Sequence, residues 1–124
     1  MILLGMTGSV LVVDDDPAFR GLARRVLAAV GLTVVGEADS VSAALAAATE
    51  VEPKAVLVDI ELPDGNGVDL AQRLMALPWQ PHVVLTSIDA DGASEDEVRR
   101  SGARAFVHKA DLPNAPLGEL LGTP

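Results

Sequence analysis

Residues 10–19, with the sequence VLVVDDDPAF, join an apolar run to three consecutive aspartates and a proline. The run is dominated by β-branched side chains and has no polar face, which is typical of a strand buried on both faces of a sheet. Pro17 is favoured in the first turn of a helix, where its missing N–H needs no partner. This stretch therefore predicts a strand over Ser9–Val13, an acidic turn and the start of a helix.

From Pro17 onward, apolar residues recur at helical spacing, and the arginines lie off the apolar stripe. The residues predicted to face inward are Phe19, Leu22, Val26 and Val30. Gly31 follows at the position where a glycine with left-handed backbone ends many helices. Asp16, directly before the helix, is the expected N-cap.

The rest of the chain repeats this alternation of short apolar runs and amphipathic segments. Strands are predicted in LTVVGEA (32–38), AVLVD (55–59), HVVLT (82–86) and ARAFVHK (103–109), and helices after Ser40, in VDLAQRLMAL (68–77), in DADGASEDEVRRSG (89–102) and around Leu117–Leu121. The segment ELPDGNG (61–67) is predicted to be a loop because it contains proline, asparagine and glycines. Five strands alternating with five helices predict an α/β fold with a doubly wound, five-stranded parallel sheet.

Length and composition narrow the classes of function. A chain of 124 residues suits one domain, and its lack of cysteine excludes disulfides and thiolate chemistry. A net charge of −9 argues against nucleic-acid binding by this domain, and no apolar run is long enough to span a membrane. We expect a cytoplasmic protein with a disordered leader over residues 1–8 and a single domain over residues 9–124.

Ionisable and hydroxyl side chains lie at the carboxyl ends of four of the five predicted strands. Because the carboxyl ends of parallel strands meet at one edge of the sheet, we expect these side chains to share one site. They are Asp14, Asp15 and Asp16 directly after the first strand, Asp59 at the end of the third, Thr86 and Ser87 at the end of the fourth, and Lys109 at the end of the fifth. Glu37 ends the second strand, whose edge position would leave it outside this site.

Such a set of side chains is suited to phosphoryl chemistry. Crowded carboxylates need a cation, and a set of oxygen ligands favours Mg²⁺. A lysine and a hydroxyl can then supply charge and hydrogen bonds to a phosphoryl group. One of the carboxylates can act as the nucleophile and form an acyl phosphate.

The motifs VLVVDD, VLVDIELPDGNGVDL, VVLTS and GARAFVHK resemble, in order and spacing, those of the receiver (CheY-like) domains of two-component response regulators. The phrases VVGEA, LPDGNG and LTS are most similar to the LuxR-type subclass. The resemblance runs from about Ser9 to Leu121. It implies a flavodoxin-like sheet with strand order 2-1-3-4-5 and a phosphorylation-dependent signalling switch.

The resemblance also implies roles for individual residues. Asp59 would be the phosphoacceptor, receiving phosphoryl from a sensor histidine kinase or phosphotransfer protein. Mg²⁺ would be held by Asp14, Asp15, Asp59 and the backbone carbonyl of Glu61. Asp16 would then be a capping residue and not a ligand.

The switch would use Thr86 and Phe106. Thr86 would turn toward the phosphoryl group, Lys109 would pair with it, and Phe106 would fill the space behind Thr86. The surface of the fourth helix, fifth strand and fifth helix would change, with homodimerisation on phosphorylation as one outcome. The domain would catalyse only the gain and loss of its own phosphoryl group.

Two alternatives stay open from the sequence. A small phosphohydrolase of the haloacid-dehalogenase type also uses a strand-end aspartate, with a second aspartate two residues later, and Asp14 and Asp16 have that spacing. A phosphorylation-independent interaction module would keep the fold without the chemistry. The chain is expected to be either a stand-alone receiver or a fragment of a longer regulator, with an unidentified downstream partner.

Overall fold

The computed structural model describes residues 8–122, so all of the predicted leader except Gly8 lies outside the described residues. Its main sheet contains five parallel strands, which are β1 (Ser9–Val13), β2 (Thr33–Ala38), β3 (Ala55–Asp59), β6 (His82–Ser87) and β7 (Ala105–His108). Their spatial order is β2-β1-β3-β6-β7. Counted in chain order, this is the predicted 2-1-3-4-5 arrangement, and the flavodoxin-like fold is confirmed.

Helices cover both faces of the sheet. They are α1 (Pro17–Ala29), α2 (Val41–Val51), α3 (Gly67–Met75), α4 (Glu95–Ser101) and α5 (Leu117–Leu121), with a 3-10 helix over Lys109–Asn114. Alternate residues of β1 belong to separate cores, because successive strand side chains point to opposite faces. Leu11 and Val13 pack with α2 and α3, whereas Val10 and Val12 pack with α1 and α5.

The segment between β3 and α3 differs from the predicted loop. Two short strands, β4 (Glu61–Leu62) and β5 (Gly65–Asn66), pair in antiparallel register to form a hairpin. Gly67 then approaches the backbone of Asp59 so closely that an added Cβ would lie 2.3 Å from the Asp59 carbonyl oxygen. A larger residue at position 67 would displace the end of β3, so glycine is required there.

The apolar stripe of α1 agrees with the prediction at Phe19, which is buried, and at Leu22 and Val26, which are partly buried against the same core. It differs from the prediction at Val30. The buried residues are Phe19, Ala23 and Leu27, which are spaced four apart, whereas Val30 is 48% exposed. Val30 lies beyond the last helical residue and caps the helix, so its side chain is not on the inward stripe. Gly31, with φ of 83°, ends the helix in the left-handed region as predicted.

Side chains cap the helices where the sequence predicts starts. Asp16 accepts a hydrogen bond from the Ala18 amide at 2.9 Å, and Ser40 accepts one from Ala43 at 3.1 Å. The helix α2 has a second partner from a distant loop, since Asp64 accepts bonds from the amides of Val41 and Ser42 at 2.7 and 3.0 Å. These two bonds lower the pKa of Asp64.

Within residues 8–122, none of the helices combines the length and the apolar character needed to cross a membrane.

The corrected stripe of α1 makes a testable prediction about stability. Leu27 is fully buried, so Leu27→Ala should lower the free energy of unfolding by about 2–5 kcal/mol through lost burial and a residual cavity. The half-exposed Val30, at the C-cap of the same helix, provides the control, and Val30→Ala should change the free energy of unfolding by about 0.5 kcal/mol or less. Urea unfolding would measure both, and a larger effect at Val30 would contradict the stripe described here.

Candidate functional site

A polar pocket lies at the carboxyl ends of the central strands, where the strand-end rule places it. Its volume is about 410 Å³. The lining residues are Asp15, Asp16, Asp59, Glu61, Ile88, Asp89 and Lys109. The predicted gathering of side chains from separate strands at one edge is therefore present.

Three carboxylates form the centre of the site. One oxygen from each of Asp14, Asp15 and Asp59 lies within 4.8 Å of the other two. Asp14 is fully buried and Asp59 is 4% exposed, whereas Asp15 is open to solvent. Lys109 contacts two of these carboxylates and supplies one positive charge, so three ionised carboxylates leave an excess of negative charge. Carboxylate oxygens are also the ligands that Mg²⁺ prefers. The residues fit such an ion.

Lys109 supplies the positive charge in this cluster. Its Nζ lies 2.7 Å from Asp14 Oδ2, 3.4 Å from Asp59 Oδ2 and 4.4 Å from the centre of the Phe19 ring. Burial by itself disfavours the charged lysine, but the hydrogen bond and charge of Asp14, followed by those of Asp59, raise the pKa of Lys109 overall. The side chain is therefore held as an ammonium between two carboxylates.

Asp59 is the most strongly perturbed carboxyl group of the site. Burial, followed by the nearby charge of Asp14, raises its pKa from 3.8 to about 6, although Lys109 acts in the opposite direction. Its Oδ1 accepts a hydrogen bond from the Glu61 amide at 3.3 Å. An electron-rich, poorly solvated carboxylate at this position is suited to nucleophilic attack once a cation offsets its charge.

Thr86 lies beside Asp59 in the sheet. The two residues are paired in register across β3 and β6, and Thr86 is fully buried. Its hydroxyl donates to the carbonyl of Val58 at 3.4 Å, so it bonds to the backbone of the neighbouring strand and not to a carboxylate of the cluster. The predicted turn of this hydroxyl toward a phosphoryl group stays a prediction.

Phe106 lies away from the carboxylates. It is partly buried on β7 and lines a groove of about 460 Å³ beside α4. The groove wall also contains Ala93, Glu95, Val98, Arg99, Ala103 and Arg104. The ring therefore lies at the wall of this groove, and its role in switching stays a prediction.

The three consecutive aspartates, Asp14, Asp15 and Asp16, make different contacts. Asp16 is exposed, caps α1 through its carboxylate and donates its amide to Asp14 Oδ1 at 2.8 Å. It is not part of the three-carboxylate cluster, whereas Asp14 and Asp15 are. The predicted capping role of Asp16 is confirmed, and the metal-binding roles of the other two stay predictions.

Glu61 has a side-chain contact that the sequence did not indicate. Its carboxylate accepts a hydrogen bond from the buried Ser87 hydroxyl at 3.1 Å. The predicted role of its backbone carbonyl as a metal ligand is a separate matter and stays a prediction.

Arg20 and Glu37 are neighbours of the site that sequence reasoning missed. Arg20 donates to the backbone carbonyl of Asp14 at 2.7 Å and to Glu37 at 2.8 Å. Glu37 does lie outside the carboxylate cluster, as predicted, but it is connected to the cluster through this arginine. The partners are 17 positions apart in the chain, and no local motif signals such a contact.

Comparison with known proteins identifies the family. The family model described as "Response regulator receiver domain" matches residues 10–115. The protein-glutamate methylesterase/protein-glutamine glutaminase of Agrobacterium fabrum is 40% identical over 85 residues, which cover 68% of this chain and 24% of that protein. The DNA-binding transcriptional activator DevR/DosR of Mycobacterium tuberculosis is 38% identical over 80% of this chain and 46% of that protein.

The chain thus spans from about a quarter to just under half the length of these two curated relatives. Among solved structures, a LuxR-family two-component response regulator from Aurantimonas has a TM-score of 0.79 at 25% identity, over 87% of this chain and 78% of that one. The resemblance to LuxR-type regulators is therefore confirmed. The strand order of the sheet agrees with the match to the family model. The chain therefore belongs to the family of response regulator receiver domains.

Proposed function

We propose that Asp59 is the phosphoacceptor of this receiver domain and takes its phosphoryl group from a histidine kinase or phosphotransfer protein. Phosphoacceptor signalling is the function of the family. The observation that carries the proposal is the position of Asp59, a nearly buried carboxylate that lies 3.4 Å from Lys109 and clusters with Asp14 and Asp15. We propose that residues 9–124 form a single receiver domain.

The proposed transfer needs little chemistry from the protein. An oxygen of Asp59 bonds to phosphorus while the bond from phosphorus to the donor nitrogen breaks, and the donor imidazole leaves. Asp14, Asp15, Asp59 and the Glu61 carbonyl would hold Mg²⁺, which supplies positive charge to the phosphoryl oxygens. Lys109 is already within 3.4 Å of Asp59 and can pair with the new acyl phosphate.

The proposed output is a shift between two conformations. The acyl phosphate would attract the Thr86 hydroxyl away from Val58, and Phe106 would move from the groove beside α4 into the vacated space. The altered surface would comprise α4, β7 and α5, on which a downstream protein or a second copy of the domain would bind. A cytoplasmic location, next to the kinase, is part of this proposal.

The first rival function, a phosphohydrolase of the haloacid-dehalogenase type, is not favoured by the family match. A receiver domain is a signalling domain and not an enzyme for an external substrate, and the methylesterase relative shares only 24% of its length with this chain. We propose that the domain catalyses only the gain and loss of its own phosphoryl group.

The proposed phosphoacceptor can be tested with acetyl phosphate and Mg²⁺, followed by intact-mass measurement. The wild-type domain should gain one labile phosphoryl group, and Asp59→Asn should gain none. Asp89 lines the same pocket outside the carboxylate cluster, so Asp89→Asn is the matched control and should still be modified. A wild-type domain that gains no phosphoryl group and gives no beryllofluoride complex would instead support a phosphorylation-independent module.

The division of the aspartate triplet predicts unequal losses of Mg²⁺ affinity. Asp15→Ala should weaken binding by at least tenfold, because it removes a proposed ligand from the cluster. Asp16→Ser should leave binding nearly intact, since serine can also cap α1. Isothermal titration calorimetry would measure both, and equal losses would show that the triplet has been divided wrongly.

The raised pKa of Asp59 predicts a pH-dependent gain in stability for Asp59→Asn without metal. Because the folded-state pKa of about 6 exceeds the ordinary value of 3.8, ionised Asp59 destabilises the fold above pH 6, by roughly 3 kcal/mol at most. Below the ordinary value the carboxyl is protonated in both states, so this cost disappears.

Urea unfolding in EDTA should therefore show Asp59→Asn to be more stable than wild type at pH 7.5, by about 1–3 kcal/mol. The difference should shrink toward zero as the pH falls from 6 to 4. The exposed Asp91→Asn is the control and should show no such dependence. A difference that grows on acidification would contradict the raised pKa.

A further inference from the structure

Arg20 connects the turn after β1 to the end of β2. Its guanidinium donates from Nη1 to the Asp14 carbonyl at 2.7 Å and from Nε to Glu37 Oε1 at 2.8 Å. Arg24 binds the other oxygen of Glu37 at 2.5 Å. One planar guanidinium thus bridges two acceptors in a fixed geometry, which a flexible ammonium cannot reproduce.

This contact completes a set of four that hold Asp14. Its amide donates to the Ala38 carbonyl at 2.9 Å, Oδ1 accepts from the Asp16 amide, and Oδ2 lies 2.7 Å from Lys109 Nζ. The fourth partner is Arg20, at the carbonyl of the peptide that leads to Asp15. Asp14 is therefore restrained at both backbone polar atoms and both carboxylate oxygens.

Asp15 is restrained differently. Within residues 8–122, its carboxylate makes no hydrogen bond or ion pair, and its side chain is exposed. Its approach to the other two carboxylates therefore depends on the direction of the Asp14–Asp15 peptide. The carbonyl of this peptide accepts the hydrogen bond from Arg20 at 2.7 Å.

We infer that Arg20, held in place by Glu37, is a positioning residue for the carboxylates of the proposed Mg²⁺ site. The inference rests on the proposed function, because it concerns the ion that the site would hold. Arg20 itself binds neither the ion nor the phosphoryl group. It acts by orienting the peptide between Asp14 and Asp15, and Glu37 acts only through Arg20.

The charge of Arg20 and its geometry have opposite effects on a bound cation. A positive side chain near the site repels Mg²⁺, so removing the charge alone would strengthen binding. Losing the orienting hydrogen bond would weaken binding, and partners of this kind are typically worth 10–100-fold in metal affinity. The sign of the change therefore separates positioning from simple electrostatics.

The test compares Mg²⁺ affinity in Arg20→Ala and Arg24→Ala by isothermal titration calorimetry. Arg24 has the same charge, lies on the same helix and also binds Glu37, but it does not contact Asp14. We expect about tenfold weaker binding for Arg20→Ala and a change of less than about twofold for Arg24→Ala. Unchanged or stronger binding in Arg20→Ala, or equal losses in both variants, would overturn the inference.

Two further variants test whether Glu37 acts only through Arg20 and whether the positive charge at position 20 is sufficient for binding. In an Arg20→Ala background, Glu37→Ala should cause no additional loss, because Glu37 is expected to act only through Arg20. Arg20→Lys keeps the charge but not the fork, and it should still bind Mg²⁺ more weakly than wild type. An additive loss from Glu37→Ala, or full affinity in Arg20→Lys, would count against the mechanism.

Hydrogen exchange measured without metal tests the positioning role of Arg20 independently of the proposed function. The Asp16 amide is bonded to Asp14 Oδ1, so Arg20→Ala in EDTA should speed its hydrogen exchange while amides in the middle of α1 remain protected. Unaltered exchange at Asp16 would overturn the positioning role. Failure of the wild-type domain to bind Mg²⁺ would instead overturn the proposed function, whichever result Arg20→Ala gives.

Discussion

The structure depends on a buried ion pair that does not balance its own charges. Lys109 lies 2.7 Å from the fully buried Asp14 and 3.4 Å from Asp59, so one ammonium serves two desolvated carboxylates. Removing charged groups from water is costly, and the raised pKa of Asp59 expresses that cost. Without a metal ion the site therefore carries an excess of negative charge, which a bound cation or protonation of Asp59 would offset.

The fold makes this arrangement possible because each charged group lies at the end of a different strand. The apolar strands β1 and β3 are buried along their whole length, apart from the partly buried Ser9, and they hold Asp14 and Asp59 at one level of the sheet. Gly67 lets the following helix begin against the backbone of Asp59. The rigid sheet therefore fixes Asp59, while the exposed Asp15 and the β6–α4 segment border the open side of the pocket.

The sequence predicted the features that depend on local pattern. Strand positions, their order once the family resemblance was included, the caps at Asp16 and Ser40, and the gathering of strand-end side chains all follow from periodicity and from the geometry of parallel sheets. The predicted stripe of α1 wrongly included Val30 and left out Ala23, which is small and therefore a weak signal, although its position on the helix buries it completely. The bridge from Glu37 through Arg20 to Asp14 was missed because it joins three separate elements, and only tertiary packing brings them together.

The two hydrogen bonds from the α2 amides to Asp64 have a consequence for the order in which the chain can assemble. Asp64 lies 23 positions after Val41, in the hairpin that follows β3. The first turn of α2 therefore obtains part of its capping from a segment that is synthesised later. An Ala-rich helix such as α2 can form early as a fluctuating segment, but its N-terminus becomes fully hydrogen-bonded only when the hairpin beside Asp59 is in place. The loop that borders the proposed phosphorylation site is thus also a folding contact, which ties the completion of α2 to the assembly of that site.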